Sequence, residues 1–262
     1  MNRRSALPLP LLAVLAVLSG VAVTGCRSAP SNDPVLKLAA TESLAKGKEF
    51  LAQKKYGKAR PYFTHAFEIE PNSAQGREAL LLSADTYFLE GGNTNFIQSE
   101  AKYRDFLNRF PTSDQAAYAQ FQIANSLAAR VERPDRDQTV TRKALDSYQD
   151  LLRLFPTSEY AKEARDKMVT VRAQLAEHEF VVGRFYQRYG IPKAAASRFE
   201  GLLKEYPDYP QRDKVIYYLG LAYAEDRQGE ESQKTFDRLR AEFPQSPYNR
   251  EIPNAAPKKA TA

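Results

Sequence analysis

Residues 219–244 read LGLAYAEDRQGEESQKTFDRLRAEFP, and three spacings inside this stretch decide the fold. Gly220 is followed three residues later by the large Tyr223, the small Ser232 lies twelve residues before Pro244, and the aromatic Phe236 lies eight before it. Working back along the chain, the same register returns at Pro71, Pro111, Pro156 and Pro207. Eight residues before these stand Phe63, Tyr103, Tyr148 and Phe199, and twelve before them stand Ala59, Ser99, Ala144 and Ala195. The small-then-large pair recurs as Gly47/Phe50, Ala84/Tyr87, Ala124/Leu127 and Gly183/Tyr186. Self-similarity held at three positions at once marks an internal repeat, and a repeat governs the fold before any local reading does.

The spacing resembles the tetratricopeptide repeat, in which a small residue lets one helix approach its partner, large residues fill the gap, and proline ends the second helix. Leu219-Gly220-Leu221-Ala222-Tyr223 matches its Leu-Gly-x-x-Tyr element. The expectation is an all-α solenoid of five helix pairs over residues 39–244. In repeats one, four and five the small residue precedes its proline by 24 positions; in repeats two and three the step is 27 and 32. The extra residues fall around Gly91-Gly92-Asn93 and Pro134-Asp135-Arg136, where a turn between paired helices belongs, and Asp137 is a candidate helix cap. The fourth repeat departs from the pattern, because Pro156 to Gly183 takes 27 residues where the corresponding steps elsewhere take 13. Tyr160, Ala164, Met168, Val171, Leu175, His178, Val182 and Tyr186 are three or four apart and predict one helix from about 159 to 190. Its extra 14 residues add about 20 Å. Such a helix either packs on the preceding repeat or offers a face to a partner.

Outside the repeats, Arg3 and Arg4 precede an apolar run, residues 11–23, that ends in Val23-Thr24-Gly25-Cys26. A basic start and an apolar core too short for a membrane span predict a signal peptide over residues 1–25. Cys26 is the single cysteine, so the chain forms no disulfide within itself. The stretch resembles the lipobox of bacterial lipoproteins, which implies cleavage between Gly25 and Cys26 and acyl chains on Cys26; several chains hold a protein on a membrane where one is marginal. In that pattern an aspartate after the cysteine favours the inner membrane, and Arg27 therefore directs the expectation to the outer membrane. Residues 26–38 read as a tether, and residues 245–262, with Pro247, Pro253 and Pro257, as a mostly disordered tail.

The remaining chemistry is sparse. Without Arg3 and Arg4 the 38 basic residues become 36 against 32 acidic ones, a mild +4 with no Lys/Arg run longer than two, which argues against nucleic acid as a partner. His65 and His178 lack companions at metal-ligand spacing and read as packing or surface residues. Gly91-Gly92 lacks the further glycines and lysine of a phosphate loop, and no Gly-x-Ser-x-Gly elbow occurs. Carboxylates scattered over helical repeats do not by themselves indicate acid/base work. Neither a cofactor nor an enzymatic activity is expected.

One stretch is more specific. Asp135-Arg136-Asp137, Arg142-Lys143-Ala144-Leu145, Phe155-Pro156-Thr157-Ser158-Glu159-Tyr160, Leu175-Ala176-Glu177-His178-Glu179, Phe185-Tyr186, Gly190, Ala194-Ala195 and Arg198-Phe199-Glu200-Gly201-Leu202-Leu203 resemble the BamD family. Its members are lipoprotein subunits of the machine that folds β-barrels into the outer membrane. Ile69-Glu70-Pro71-Asn72-Ser73 and the proline-rich tail depart from the family's better-known members. The resemblance implies a non-enzymatic scaffold, lipid-anchored on the periplasmic face of the outer membrane beside other assembly lipoproteins. Its C-terminal repeats would bind POTRA domains of the barrel-forming subunit, and its N-terminal repeats unfolded barrel precursors. Arg198 is the expected salt-bridge contact to the POTRA partner; its alternative reading is a solvated charge paired along the helix. A second functional reading is another outer-membrane tetratricopeptide lipoprotein, a secretin pilotin or a cell-division coordinator acting with Tol-Pal. That coordinator's family carries an N-terminal coiled coil and no lipobox, and neither trait matches here.

Overall fold

The computed structural model describes residues 33–253, so Gly25, Cys26 and the expected leader lie outside the described residues. Within them ten α-helices follow one another without a strand. They pair as α1 (Ala40–Ala52) with α2 (Tyr56–Ile69), α3 (Ala74–Glu90) with α4 (Asn93–Arg109), and α5 (Ala116–Ala128) with α6 (Thr139–Leu154). The last two pairs are α7 (Ala161–Arg188) with α8 (Pro192–Glu205) and α9 (Arg212–Glu225) with α10 (Gly229–Glu242). Each helix packs on the next, which makes the all-α stack of five pairs that the spacing predicts.

The second helix of every pair ends the same way. Glu70, Phe110, Phe155, Tyr206 and Phe243 close their helices at φ between −121° and −134° and ψ between 58° and 65°. Each precedes a proline, whose ring disfavours the α region for the residue before it and whose missing N–H cannot continue the ladder. The turn that follows is also shared: the N–H of Ser73, Ser113, Ser158, Tyr209 and Ser246 returns to those same five carbonyls at 3.0–3.1 Å. Ser73 then caps α3 by accepting from Gly76 N–H at 2.9 Å.

Within a pair, contact is made at the small residue. A Cβ built at Gly47 or Gly220 would stand 2.5 Å from the ring of Phe63 or Phe236, and one at Gly183 would meet Phe199 as closely. Repeats two and three carry Ala84 and Ala124 instead, and there the facing aromatic is a tyrosine. Tyr103 O–H donates to Asp85 at 2.5 Å and Tyr148 O–H to Asn125 at 2.8 Å, each acceptor being the residue after the alanine. All five aromatics are buried.

α7 is 28 residues long, about 42 Å, and spans two cores. Val171 belongs to the core of repeats two and three, while Leu175, Ala176 and Phe180 belong to that of repeats four and five. Its middle holds the long loop of repeat three. Gln174 donates to Glu132 O at 2.8 Å, and a ring nitrogen of His178 lies 2.6 Å from Pro134 O. The lengthened helix thus packs on the preceding repeat, and two departures from the repeat length serve each other. Across that loop Asp137 accepts from Thr139 N–H at 2.9 Å at the start of α6, a bond that holds its carboxyl below the ordinary value. Gly190, at φ +70°, ends α7 in the left-handed region that glycine adopts freely.

Both ends of the stack are covered. A 3₁₀ turn at Pro34–Lys37, in the stretch read as tether, buries Val35, and Leu38 O lies 3.2 Å from a ring nitrogen of His65. The stretch from Gln245 to Pro253, read as tail, instead closes the last pair. Tyr248 stacks on Tyr217 at 5.1 Å, Asn249 donates to Phe243 O at 2.8 Å, and Ile252 packs on the cluster of Ile216 and Leu239. The physical reason is that a solenoid's last repeat has no successor to bury its open face. No described helix is long and apolar enough to cross a membrane.

Replacing Gly183 or Gly220 by leucine is expected to overfill the pair and to destabilise the chain by roughly 1–3 kcal/mol, read from urea unfolding. Phe236→Leu, made together with Gly220→Ala, should restore part of the loss that Gly220→Ala causes alone. Purely additive effects of the two substitutions would show that they do not share this contact.

Candidate partner-binding surfaces

Two surfaces remain once the core is accounted for. The first lies along α7 and α8. Arg198 stands on α8 one residue before the buried Phe199, so its side chain faces away from the core; it is 46 % exposed. Its Nη1–H donates to Glu179 Oε2 on α7 at 3.0 Å, and that bond, with Tyr186 alongside, raises its pKa further. The cation is therefore paired across the two helices and not along its own. Beyond Tyr186 the surface turns apolar. Phe185, Tyr189 and Ile191 are 45 %, 69 % and 48 % exposed, and the Phe185 and Tyr189 rings lie 4.4 Å apart.

The apolar stripe of α7 that helical spacing picks out runs through Val182 and Tyr186 and leaves out Tyr189 and Ile191. The available signal was Phe185 and Tyr189, two aromatics four residues apart and off that stripe, where a helix surface is ordinarily polar.

The second surface is a hollow of about 470 Å³ between α3 and α5, lined by Arg77, Leu81, Leu82, Asp85, Gln115 and Tyr118 among others. Asp85 anchors it. Its Oδ1 accepts from Tyr103 O–H and from Tyr118 O–H, the latter at 2.8 Å. Tyr118 OH in turn accepts from Gln122 Nε2–H at 3.0 Å, Gln122 Oε1 from Asn125 Nδ2–H at 2.8 Å, and Asn125 Oδ1 from Tyr148 O–H. All the donors point one way, toward the carboxylate, and bonds so aligned polarise one another. The chain crosses α3, α4, α5 and α6 and ties repeats two and three. Burial pushes the Asp85 carboxyl above its ordinary value, although both tyrosine bonds oppose the shift.

Elsewhere on the first helices, charges also bridge neighbouring repeats. Lys48 pairs with Glu78 at 2.6 Å, and Glu177 accepts from Tyr209 O–H and lies 3.4 Å from Lys214 Nζ. Lys214 sits 4.1 Å over the Phe180 ring, and Arg184 sits 3.8 Å over Tyr218. His65 and His178 each face a backbone carbonyl, and among the described residues no group of three His, Cys, Asp or Glu side chains is placed to hold a metal. What the arrangement presents is shape, aromatic surface and paired charge.

Residues 37–231 match the family model described as YfiO, outer membrane lipoprotein. Relatives named outer membrane protein assembly factor BamD include that of Rickettsia prowazekii, 29 % identical over 239 residues, covering 91 % of this chain and 93 % of that protein. That of Haemophilus influenzae is 29 % identical over 225 residues, covering 82 % of each chain, and that of Caulobacter vibrioides 27 % over 237, covering 90 % and 77 %. Among solved structures, the TPR2AB domain of yeast Sti1 matches with a TM-score of 0.43 at 14 % identity, covering 78 % of each chain. MamA matches with a TM-score of 0.34 at 17 %, covering 79 % and 96 %.

The raised Asp85 pKa fixes the sign of a pH effect. The folded chain binds this proton more tightly than the unfolded one, so the charge weighs against folding above the ordinary carboxylate value, and that weight is lifted as pH falls through the folded value. Asp85→Asn keeps an acceptor without the charge. It is expected to gain stability over the unmodified chain at neutral pH and to lose that gain at mildly acid pH, compared by denaturant unfolding. A difference constant across pH would show that the charge at Asp85 does not weigh on folding.

Proposed function

The chain belongs to the YfiO family of outer membrane lipoproteins, and we propose that it acts in outer membrane protein assembly as a non-enzymatic scaffold. It is held at the periplasmic face by acyl chains on Cys26. Repeats four and five dock a POTRA domain of the barrel-forming subunit, and the hollow between α3 and α5 receives extended segments of unfolded barrel precursors. The assignment to assembly is supported by relatives of that name matched over most of their length.

The observation that carries the docking face is the exposed cluster of Phe185, Tyr189 and Ile191 close to Arg198. Aromatic anchors beside an arginine make the usual energetic centre of a protein interface. The pairing of Arg198 with Glu179 does not stand in the way. A half-exposed ion pair is worth about 0–1 kcal/mol, so a partner carboxylate displaces Glu179 at little cost, and until then Glu179 holds the guanidinium in place. The hollow suits an extended peptide differently: Leu81 and Leu82 offer apolar contact, and Arg77, Asp85 and Tyr118 offer polar groups along its wall.

Two experiments test this reading. Cys26→Ala should leave a chain that is exported but absent from the outer-membrane pellet once its partners are removed, because the acyl chains supply the strong membrane affinity; firm retention in the pellet would defeat the lipid anchor. For docking, affinity of purified POTRA domains is measured for the soluble chain, for Arg198→Glu and for Lys102→Glu on α4. Arg198→Glu should weaken binding by about 2–5 kcal/mol if the contact is buried and by less at a rim. Glu179→Gln, which frees Arg198, should bind at least as tightly as the unmodified chain. Equal affinity of Arg198→Glu and Lys102→Glu, with unchanged melting temperatures, would remove Arg198 from the interface.

A further inference from the structure

Lys54 and Lys55 in the turn between α1 and α2, and Lys58 in the first turn of α2, are all exposed. Their neighbours Lys46 and Lys48 are paired with Glu49 and Glu78, but among the described residues Lys55 Nζ donates to the neutral Gln53 Oε1, at 2.8 Å, and to no carboxylate. Lys54 and Lys58 make no ion pair among the described residues.

This arrangement opposes the fold twice. Lys55 is the N-cap of α2 and Lys58 lies in its first turn, where the positive end of the helix dipole disfavours cations. Lys54 holds φ at +55°, in the left-handed region, as Arg227 does at +61° in the corresponding turn of repeat five, while the turns of repeats two and four place Gly91 and Gly190 there. An L side chain enters that region at a cost that glycine does not bear. The left-handed residue recurs at Arg227 and so belongs to the repeat, whereas like charges gathered at the start of one helix are what the fold itself does not call for.

The chain enters at the same end. Asp33 lines one shallow hollow with Gly57, Arg60 and Pro61, at the start of α2, and accepts from Val35 N–H at 2.9 Å. Asp33 follows Cys26 by seven positions, a reach of at most about 25 Å. The lysines therefore stand within a short tether's length of any membrane that holds Cys26.

We propose that Lys54, Lys55 and Lys58 rest on anionic phospholipid headgroups of that membrane, a second and electrostatic contact beside the acyl chains. This rests on the Cys26 anchor proposed above. Acyl chains on Cys26 fix a single point of the chain and leave the solenoid free to turn about it. Three cations around the start of α2 orient it with repeat one against the bilayer and repeats four and five directed away, toward partners.

The test uses the chain from residue 26 with Cys26→Ser, so that no acyl chain takes part and a failure of the lipid anchor does not bear on the result. Its partition is measured onto vesicles of phosphatidylcholine and onto vesicles of phosphatidylcholine mixed with phosphatidylglycerol. The unmodified chain should prefer the anionic vesicles and be released by salt, since the contact is screened within about 10 Å at moderate ionic strength. Each lysine near such a surface multiplies partition about five-fold, so Lys54→Gln, Lys55→Gln and Lys58→Gln together should lower it roughly 100-fold. Lys102→Gln, Lys143→Gln and Lys204→Gln, the same loss of charge spread over three helices, should leave it within about three-fold. Lys54→Gly should raise the melting temperature and lower partition about five-fold, two opposite effects that separate the surface contact from stability. Equal partition of the two triple variants, or no preference of the unmodified chain for phosphatidylglycerol, overturns the proposal.

Discussion

Phe236 lies where a side chain at Gly220 would have to be, Phe63 stands so against Gly47, and Phe199 against Gly183. An aromatic ring seated directly on a backbone sets how near two helices approach, and every other contact in the pair follows from that distance. The small residues twelve before each proline complete the fit from the other helix. Ala59, Ser99, Ala144, Ala195 and Ser232 are all buried, and Ser232 Oγ–H reaches the carbonyl of Gly220 itself at 2.8 Å. Repeats two and three show how the constraint is met when alanine replaces glycine. The ring becomes a tyrosine whose hydroxyl is bonded to the residue after the alanine, so a polar anchor accompanies the looser steric one.

Those two polar anchors are also where the solenoid's interior becomes electrically coupled. Asp85 and Asn125 are the ends of one chain of bonds through Tyr118 and Gln122, so repeats two and three form a joined unit. Burying a carboxylate is unfavourable unless its bonds are supplied, and here the supply comes from two repeats at once. The same unit forms the wall of the hollow between α3 and α5. The bonds that join the two repeats and the wall of the hollow thus come from one set of side chains.

α7 converts this local order into distance. Because one uninterrupted helix contributes Val171 to one core and Leu175 to the next, the C-terminal pairs sit at a set offset from the N-terminal ones. The loop of repeat three, longer than a plain turn, is held on the middle of that helix through Gln174 and His178. A surface at Arg198 and Phe185 is thereby kept apart from the hollow at Asp85.

The register, the five helix pairs and the long helix were legible in the sequence because each depends on local chemistry. Proline ends a helix wherever it stands, a glycine or alanine permits close approach wherever it stands, and an apolar stripe at helical spacing needs no knowledge of the neighbour that covers it. Bounds of about 159 to 190 for the long helix agree with Ala161–Arg188 to within two residues. Other properties depended on which repeat, if any, lies against a given face. Tyr186 and Phe185 are adjacent in sequence, yet one packs on the core of repeats four and five and the other stands open. Arg198 reads equally well as a charge paired along its own helix, and only the placement of α7 beside α8 gives it Glu179. Gln245 to Pro253 reads as a polar, proline-broken tail, yet Tyr248 and Ile252 cover the face that a sixth repeat would otherwise have buried. Steric and periodic constraints act between residues near in sequence and survive in the one-dimensional text, whereas exposure is a property of the whole stack and exists only once every neighbour is in place.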